Sequence, residues 1–265
     1  MPEGDTIHRA AARLRQAIAR EVVEHLAISR WSGPTPQAGE TIEDVEARGK
    51  YLLIRFSGGL TLETHMKMTG SWHLYHPGSR WQKPRERARV VIAVPRWEAV
   101  CFNAPVARFV RSTNAGRQDL GPDLCTDDVA FEDLPSRAHS LVAAQTEIAD
   151  VLLDQRVASG IGNVYKSEVL WALRVSPFSE LERIDDSVLI AIYERASRLL
   201  RHNLTTNQRE TVPGGLAVYG RRGSPCRRCT SAVRRAVQGP HARSTYWCPT
   251  CQPDPGKRTP RAIRR

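Results

Sequence analysis

Ile7, Ala11, Leu14 and Ile18 recur at i, i+4, i+7 and i+11, a spacing that gathers apolar side chains on one face of a helix. Asp5 or Thr6 is suited to cap that helix, which leaves Pro2 and Glu3 just ahead of its first turn. The period then shortens. Tyr51 to Phe56, Leu60 to Thr64, Ser71 to Tyr75, Val90 to Val94 and Ala99 to Phe102 read as short strands, with polar turns such as Ser57-Gly58-Gly59 between them. Strands of this kind predict a sandwich or barrel-like sheet. Helical spacing returns later. Leu141, Ile148 and Leu152 share one face, and Leu189, Ile192, Ala196, Leu199 and Leu200 mark another helix, opened by Asp186 or Ser187. Between them, in ASGIGNVYKSE, Gly160 and Gly162 make a tight turn and Asn163 can begin a helix whose free amides suit a phosphate. Alone, SGIGN is more often an ordinary turn between helices.

These changes of period divide an α+β chain: an N-terminal β-sandwich over 1–118, an acidic linker over 119–135 and a helical domain over 136–220. A hairpin module over 221–252 and a basic tail over 253–265 follow.

The hairpin module carries CRRC at 226–229 and CPTC at 248–251. Each knuckle supplies two thiolates from one turn, so Cys226, Cys229, Cys248 and Cys251 fit one closed, structural zinc site. An iron–sulfur cluster or disulfides are the less favoured alternatives. Val233 to Val237 and Ser244 to Trp247 read as strands around the turn 238–241, with Arg243 near the tip. Cys101 and Cys125 fall outside this pattern and read as free thiols.

Charge adds a partner. The chain has 265 residues and a net charge of +11, and residues 220–265 hold twelve Arg and Lys against one acid, Asp254, so the whole excess lies there. Such a block neutralises phosphates and points to nucleic acid. The sequence has no apolar run of membrane length, and the expectation is a cytoplasmic protein.

Pro2 followed by Glu3 has its own chemistry. With Met1 removed, Pro2 is a terminal secondary amine, a group that titrates at roughly pH 8 and is partly neutral under physiological conditions. Read alone, the pair is an unremarkable start. Together with RGKYLL at 48–53, LGPDL at 120–124, GIGNVYKSE at 160–168 and ARSTYWCPTCQ at 242–252, the opening MPEGDT resembles the formamidopyrimidine-DNA glycosylase and endonuclease VIII family. The matches keep the family's order from residue 2 to about 252.

The resemblance implies a bifunctional DNA glycosylase and AP lyase of base excision repair, acting as a monomer on damaged double-stranded DNA. It also implies that the helical part is a helix–two-turns–helix domain. Pro2 matches the nucleophile, Glu3 the acid that protonates the sugar ring oxygen, and Lys50 a phosphate contact that assists the lyase steps. Asn163 and Arg243 match the clamps around the everted nucleotide. Alone, Arg243 is one more phosphate-screening charge. Met68, flanked by Lys67 and Thr69, stands where the family places an intercalating wedge; alternation alone equally permits strand core.

Two departures are visible. Thr6, preceded by Asp5, replaces a second glutamate frequent in the family, and NAPVARF at 103–109 replaces the wedge motif of purine-type members, leaving Arg108 and Phe109 as its nearest match. The MPEG opening and the short connection from Asn203 to Val218 look more like endonuclease VIII, so oxidised pyrimidines are the expected substrates. Oxidised purines come second. A non-catalytic zinc-finger protein that binds damaged DNA is the competing class.

Overall fold

The computed structural model describes residues 2–111, 115, 119–206 and 208–253. The chain forms two compact units, Met1–Asp119 and Leu120–Arg265.

The first unit opens with α1 (Gly4–Ile18), whose Ile7, Ala11, Leu14 and Ile18 are all buried. The expected caps are displaced. Glu3 takes the N-cap position, its carbonyl accepting from Thr6 N and Ile7 N, while Asp5 lies buried within the first turn. Eight strands follow: β1 (His25–Ile28), β2 (Ile42–Arg48), β3 (Tyr51–Phe56), β4 (Leu60–His65), β5 (Ser71–Tyr75), β6 (Ala88–Val94), β7 (Trp97–Phe102) and β8 (Val106–Arg111). They pair antiparallel into two sheets, ordered β1-β6-β7-β5 and β2-β3-β4-β8. The core draws Ile42, Val45, Leu52, Ile54, Phe56 and Leu62 from one sheet, Val90, Ile92, Val94, Ala99 and Cys101 from the other, and the apolar stripe of α1. Burial pushes the Cys101 thiol up to about 12, so it is a packing group.

The second unit is mostly helical, with α2 (Leu134–Leu141), α3 (Ile148–Val151), α4 (Asn163–Ala172) and α5 (Asp186–His202), followed by the hairpin β9 (Arg234–Gln238) and β10 (Arg243–Trp247). Two expectations change here. Residues 120–135 do not hang as a linker: Gly121 N donates to Gln155 O, Leu124 N to Ser159 O and Ser197 Oγ to Leu124 O, and Leu124 and Leu134 are fully buried among the helices. Leu141, Ile148 and Leu152 share one core but not one helix. The intervening residues pair with the 179–182 stretch instead, through Ile148 N to Ser179 O, Leu181 N to Thr146 O and Glu182 N to Ala144 O.

Helix α4 is the axis of this unit. Residues 163–171 are buried without exception, because α5 packs on one side and β10 on another. A helix covered all round shows no amphipathic stripe.

Residues 254–265, most of the expected basic tail, lie outside the described residues, as do 112–114, 116–118 and 207. Among the described residues no helix is long and apolar enough to cross a membrane.

Candidate functional site

In the first unit the sheet β2-β3-β4-β8 gathers the candidate residues at one of its ends. The register Arg48↔Tyr51↔His65↔Val106 marks that end across all four strands. Lys50, half-buried, sits in the two-residue turn between β2 and β3, where Gly49 takes φ +57. The loop 66–70 leaves the neighbouring strand end. His65 Nδ1 accepts from Lys67 N at 3.0 Å, and the His65 ring meets the Tyr51 ring edge-on at 4.9 Å. Met66 turns inward to the core, and the chain closes through Gly70 N to Met66 O at 2.8 Å. A side chain at Gly70 would come within 2.7 Å of Met66 Cα, so the turn needs glycine.

Met68 projects from the tip of this loop with 58 % exposure. Strand core is therefore not its role. Lys67 and Thr69 beside it are exposed, and Thr69 Oγ1 donates to Asn103 O at 3.1 Å.

Pro2 and Glu3 stand at the start of α1, which packs along β2 and β3. The last turn of α1 lies at the opposite end of β2, where Arg15 grips Asp44 with two bonds of 2.6 and 2.7 Å and Arg20 N donates to Ile42 O. A helix of 15 residues is about 22 Å long and seven strand residues span about 20 Å, so α1, packed along β2 and β3, carries its start toward the Lys50 turn. Glu3 is fully buried there and its side chain does not cap the helix. Asp5, also fully buried, lies 3.7 Å from Arg9 and accepts from Thr6 Oγ1 at 3.3 Å.

Arg108 and Phe109 do not form a wedge. Phe109 packs in the core against Trp31 and Phe56, and Arg108 Nε binds the buried Glu63 carboxylate at 2.8 Å in mid-strand. Strand alternation, invisible in NAPVARF because of its arginine, puts Phe109 inside.

In the second unit α4 and β10 run alongside in the same direction. Lys166 Nζ donates to Thr245 Oγ1 at 2.8 Å, the Ser167 hydroxyl accepts from Tyr246 N at 3.3 Å, and Trp171 reaches Cys226. This order sets Asn163 and Arg243 at the leading ends of the two elements and the cysteines at the trailing end. Asn163, 5 % exposed, opens α4 behind a turn that Gln155 staples by accepting from Gly160 N and donating to Ile161 O. Arg243 is exposed at the hairpin tip, next to Ala242 at φ +49.

The four cysteine sulfurs lie within 4.8 Å of one another, with Cys229 to Cys248 at 3.4 Å and Cys226 to Cys251 at 4.0 Å. A tetrahedral zinc with Zn–S bonds of about 2.3 Å spaces its sulfurs at roughly 3.8 Å, so this donor set fits one such ion. The set is all thiolate and closed, which suits a metal that folds the module.

Three family models match: the formamidopyrimidine-DNA glycosylase N-terminal domain over residues 1–109, its H2TH domain over 120–212, and the zinc finger found in FPG and IleRS over 223–253. A probable endonuclease 8 2 of Streptomyces coelicolor is 39 % identical over 98 % of this chain and 98 % of its own length. The chain belongs to the formamidopyrimidine-DNA glycosylase and endonuclease VIII family. Two further members are the DNA-(apurinic or apyrimidinic site) lyase Nei2 of Mycolicibacterium smegmatis, 33 % identical over 95 % of this chain and 99 % of its own, and the formamidopyrimidine-DNA glycosylase of Thermus thermophilus, 31 % identical over 95 % and 98 %. The fold agrees with a solved structure of MutM in complex with carbocyclic 8-oxo-G containing DNA, with a TM-score of 0.82 at 19 % identity over 96 % of this chain and all of that one.

Three polar residues of this family member escaped the reading of its sequence. Lys166 and Glu168 are buried in α4, and Trp171 touches a cysteine. The Glu168 carboxylate accepts from Ala217 N at 2.7 Å, Val218 N at 2.9 Å and Tyr219 N at 2.7 Å, and from the Thr211 hydroxyl, so it shapes the short connection after α5. Asn203 shapes its start, bonding Glu210 N and Glu210 O. The available signal was charge in a segment without a polar face, where a charged group must find buried partners.

Proposed function

We propose that this chain is a bifunctional DNA glycosylase and AP lyase of base excision repair that works through Pro2 and favours oxidised pyrimidines. The enzyme class, DNA glycosylase and DNA-(apurinic or apyrimidinic site) lyase in DNA repair, follows from the family; the residue roles and the substrate are our assignment. The observation that carries it is the fully buried Glu3 carboxyl next to Pro2 at the start of α1, a helix that packs along β2 and β3, the two strands joined by the Lys50 turn.

With Met1 removed, the Pro2 nitrogen lone pair attacks C1′ and the base leaves with the electrons of the glycosidic bond. The nitrogen, now cationic, loses its N–H proton, which the departing base can take, and the lone pair so freed opens the C1′–O4′ bond while Glu3 gives its proton to O4′. The resulting iminium draws electrons from C2′, whose proton is lost. The 3′ phosphate leaves, then the 5′ phosphate, and water releases Pro2. Lys50 contacts a phosphate beside the reacting sugar, and Asn163 and Arg243 hold the backbone while the nucleotide is out of the stack. Met68, with Lys67 and Thr69 beside it, fills the gap left in the duplex. One zinc on Cys226, Cys229, Cys248 and Cys251 stabilises the hairpin. The protein works as a monomer on double-stranded DNA in the cytoplasm.

Support for pyrimidines comes from the short, internally bonded connection 203–218 and from Phe109, which is committed to the core and leaves Met68 as the exposed apolar group near the site. Single-turnover excision from matched duplexes bearing thymine glycol or 8-oxoguanine tests this. Faster release of thymine glycol is expected. Faster release of 8-oxoguanine would transfer the chain to the purine-type reading.

A further inference from the structure

The last turn of α4 runs into the cysteine cluster. Trp171 Nε1 donates to Cys226 Sγ at 3.3 Å, and the sulfur also receives Arg228 N from its own knuckle at 3.5 Å. Cys248 likewise receives a backbone donor from its own knuckle, Cys251 N, at 3.5 Å. The indole is thus a donor brought from outside the knuckles. Trp171 is 7 % exposed and packs with Ala217, Val218 and Val233 around the cysteines.

Arg228 holds the indole from the other side. Its guanidinium lies over the ring, 4.2 Å from the centroid, and donates to Trp171 O at 3.0 Å and Ala172 O at 3.1 Å. One arginine therefore ends the helix and covers the ring, and the same ring touches a metal-binding sulfur.

Four thiolates around a divalent ion leave a net charge of about −2, expensive where Cys226 and Cys248 are buried. A hydrogen bond to an ionised sulfur is charge-assisted and lowers that cost. A cation over the indole face withdraws electron density and makes the N–H a better donor. Groups that orient a metal's ligands in this way are commonly worth 10–100-fold in affinity.

We propose that Trp171 is a positioning residue for the zinc: its N–H holds the Cys226 thiolate in its ligating orientation, and Arg228 holds the indole in place. The proposal rests on the four-cysteine zinc reading. It makes metal affinity a property of α4 as well as of the knuckles.

The test compares wild type with Trp171→Phe, which keeps an aromatic ring and deletes the donor. Zinc affinity is measured by competition with a chromophoric chelator, and the sulfur-to-metal charge-transfer band is recorded with cobalt(II) in place of zinc. The variant is expected to bind zinc roughly 10–100-fold more weakly. Its cobalt band is expected at longer wavelength, because an unbonded thiolate gives up an electron more easily. If Trp171→Phe fails to fold, 3-benzothienylalanine at position 171 replaces the N–H by sulfur in a ring of the same shape. Equal affinity overturns the proposal, and so does weaker binding with an unmoved band, since lost packing alone produces that. Wild type without stoichiometric zinc would instead overturn the metal site itself.

Discussion

Lys166 and Thr245 join helix and hairpin through a fully buried hydrogen bond of 2.8 Å between Nζ and Oγ1. Three residues before Lys166 stands Asn163, and two before Thr245 stands Arg243. The bond therefore fixes the register of the two elements that carry the proposed clamps. Thr245→Val keeps the volume and removes the acceptor, leaving the buried ammonium short of a partner. A loss of about 1–3 kcal/mol in urea unfolding is expected, together with weaker binding of abasic-site DNA. Unchanged stability would show that the bond adds little.

Gly239 has a second duty. Its φ is +70, and a Cβ there would lie 2.3 Å from the Asp150 carboxylate, so the hairpin turn closes directly on α3. Gly239→Ala should cost more than Gly59→Ala, whose φ is +81 in open space and which pays only the left-handed penalty of about 1 kcal/mol. Thermal melts of both variants give the comparison; equal losses would mean that Asp150 moves aside freely.

The same carboxylate gives a pH dependence. Burial raises the Asp150 pKa, against the opposing pull of Lys166 and His241. A carboxyl with a raised folded-state pKa favours the fold while protonated, and that favour is lost as pH rises through the folded value. Asp150→Asn should therefore gain stability at neutral pH, by less than about 1 kcal/mol because solvent reaches the group. The gain should vanish below the ordinary aspartate range. Urea titrations of wild type and variant across pH 3–7 check this, and a gain at acid pH alone would reverse the assignment.

Met68 separates folding from function. At 58 % exposure it contributes little to the core, so Met68→Ala should unfold within about 0.5 kcal/mol of wild type. Excision from a duplex should slow, while cleavage of a single-stranded abasic substrate, with no stack to fill, should not. Equal slowing on both substrates would argue against a wedge.

Much of this architecture was legible from local pattern. The stripe of α1, five strands of the sandwich and the paired knuckles follow from spacing alone, because each buries one face or one set of like ligands. β2, with four charged residues among its seven, and β8, with its two arginines, carry too many charges to read as strands, although Val45 and Phe109 point inward. Residues 120–135 look like a polar linker because their anchoring is by backbone and by single leucines. Lys166, Glu168 and Trp171 act through tertiary partners 43 to 79 positions away, which local spacing cannot reveal.

The central claim is that Pro2 forms an iminium with the damaged nucleotide. Borohydride reduction of the protein on a duplex with one abasic site, followed by peptide mapping and a Pro2→Gly control, tests it directly. A covalent adduct on Pro2 in protein lacking Met1 is the predicted result. DNA bound without any adduct would contradict it and leave a non-catalytic damage-binding protein as the better account.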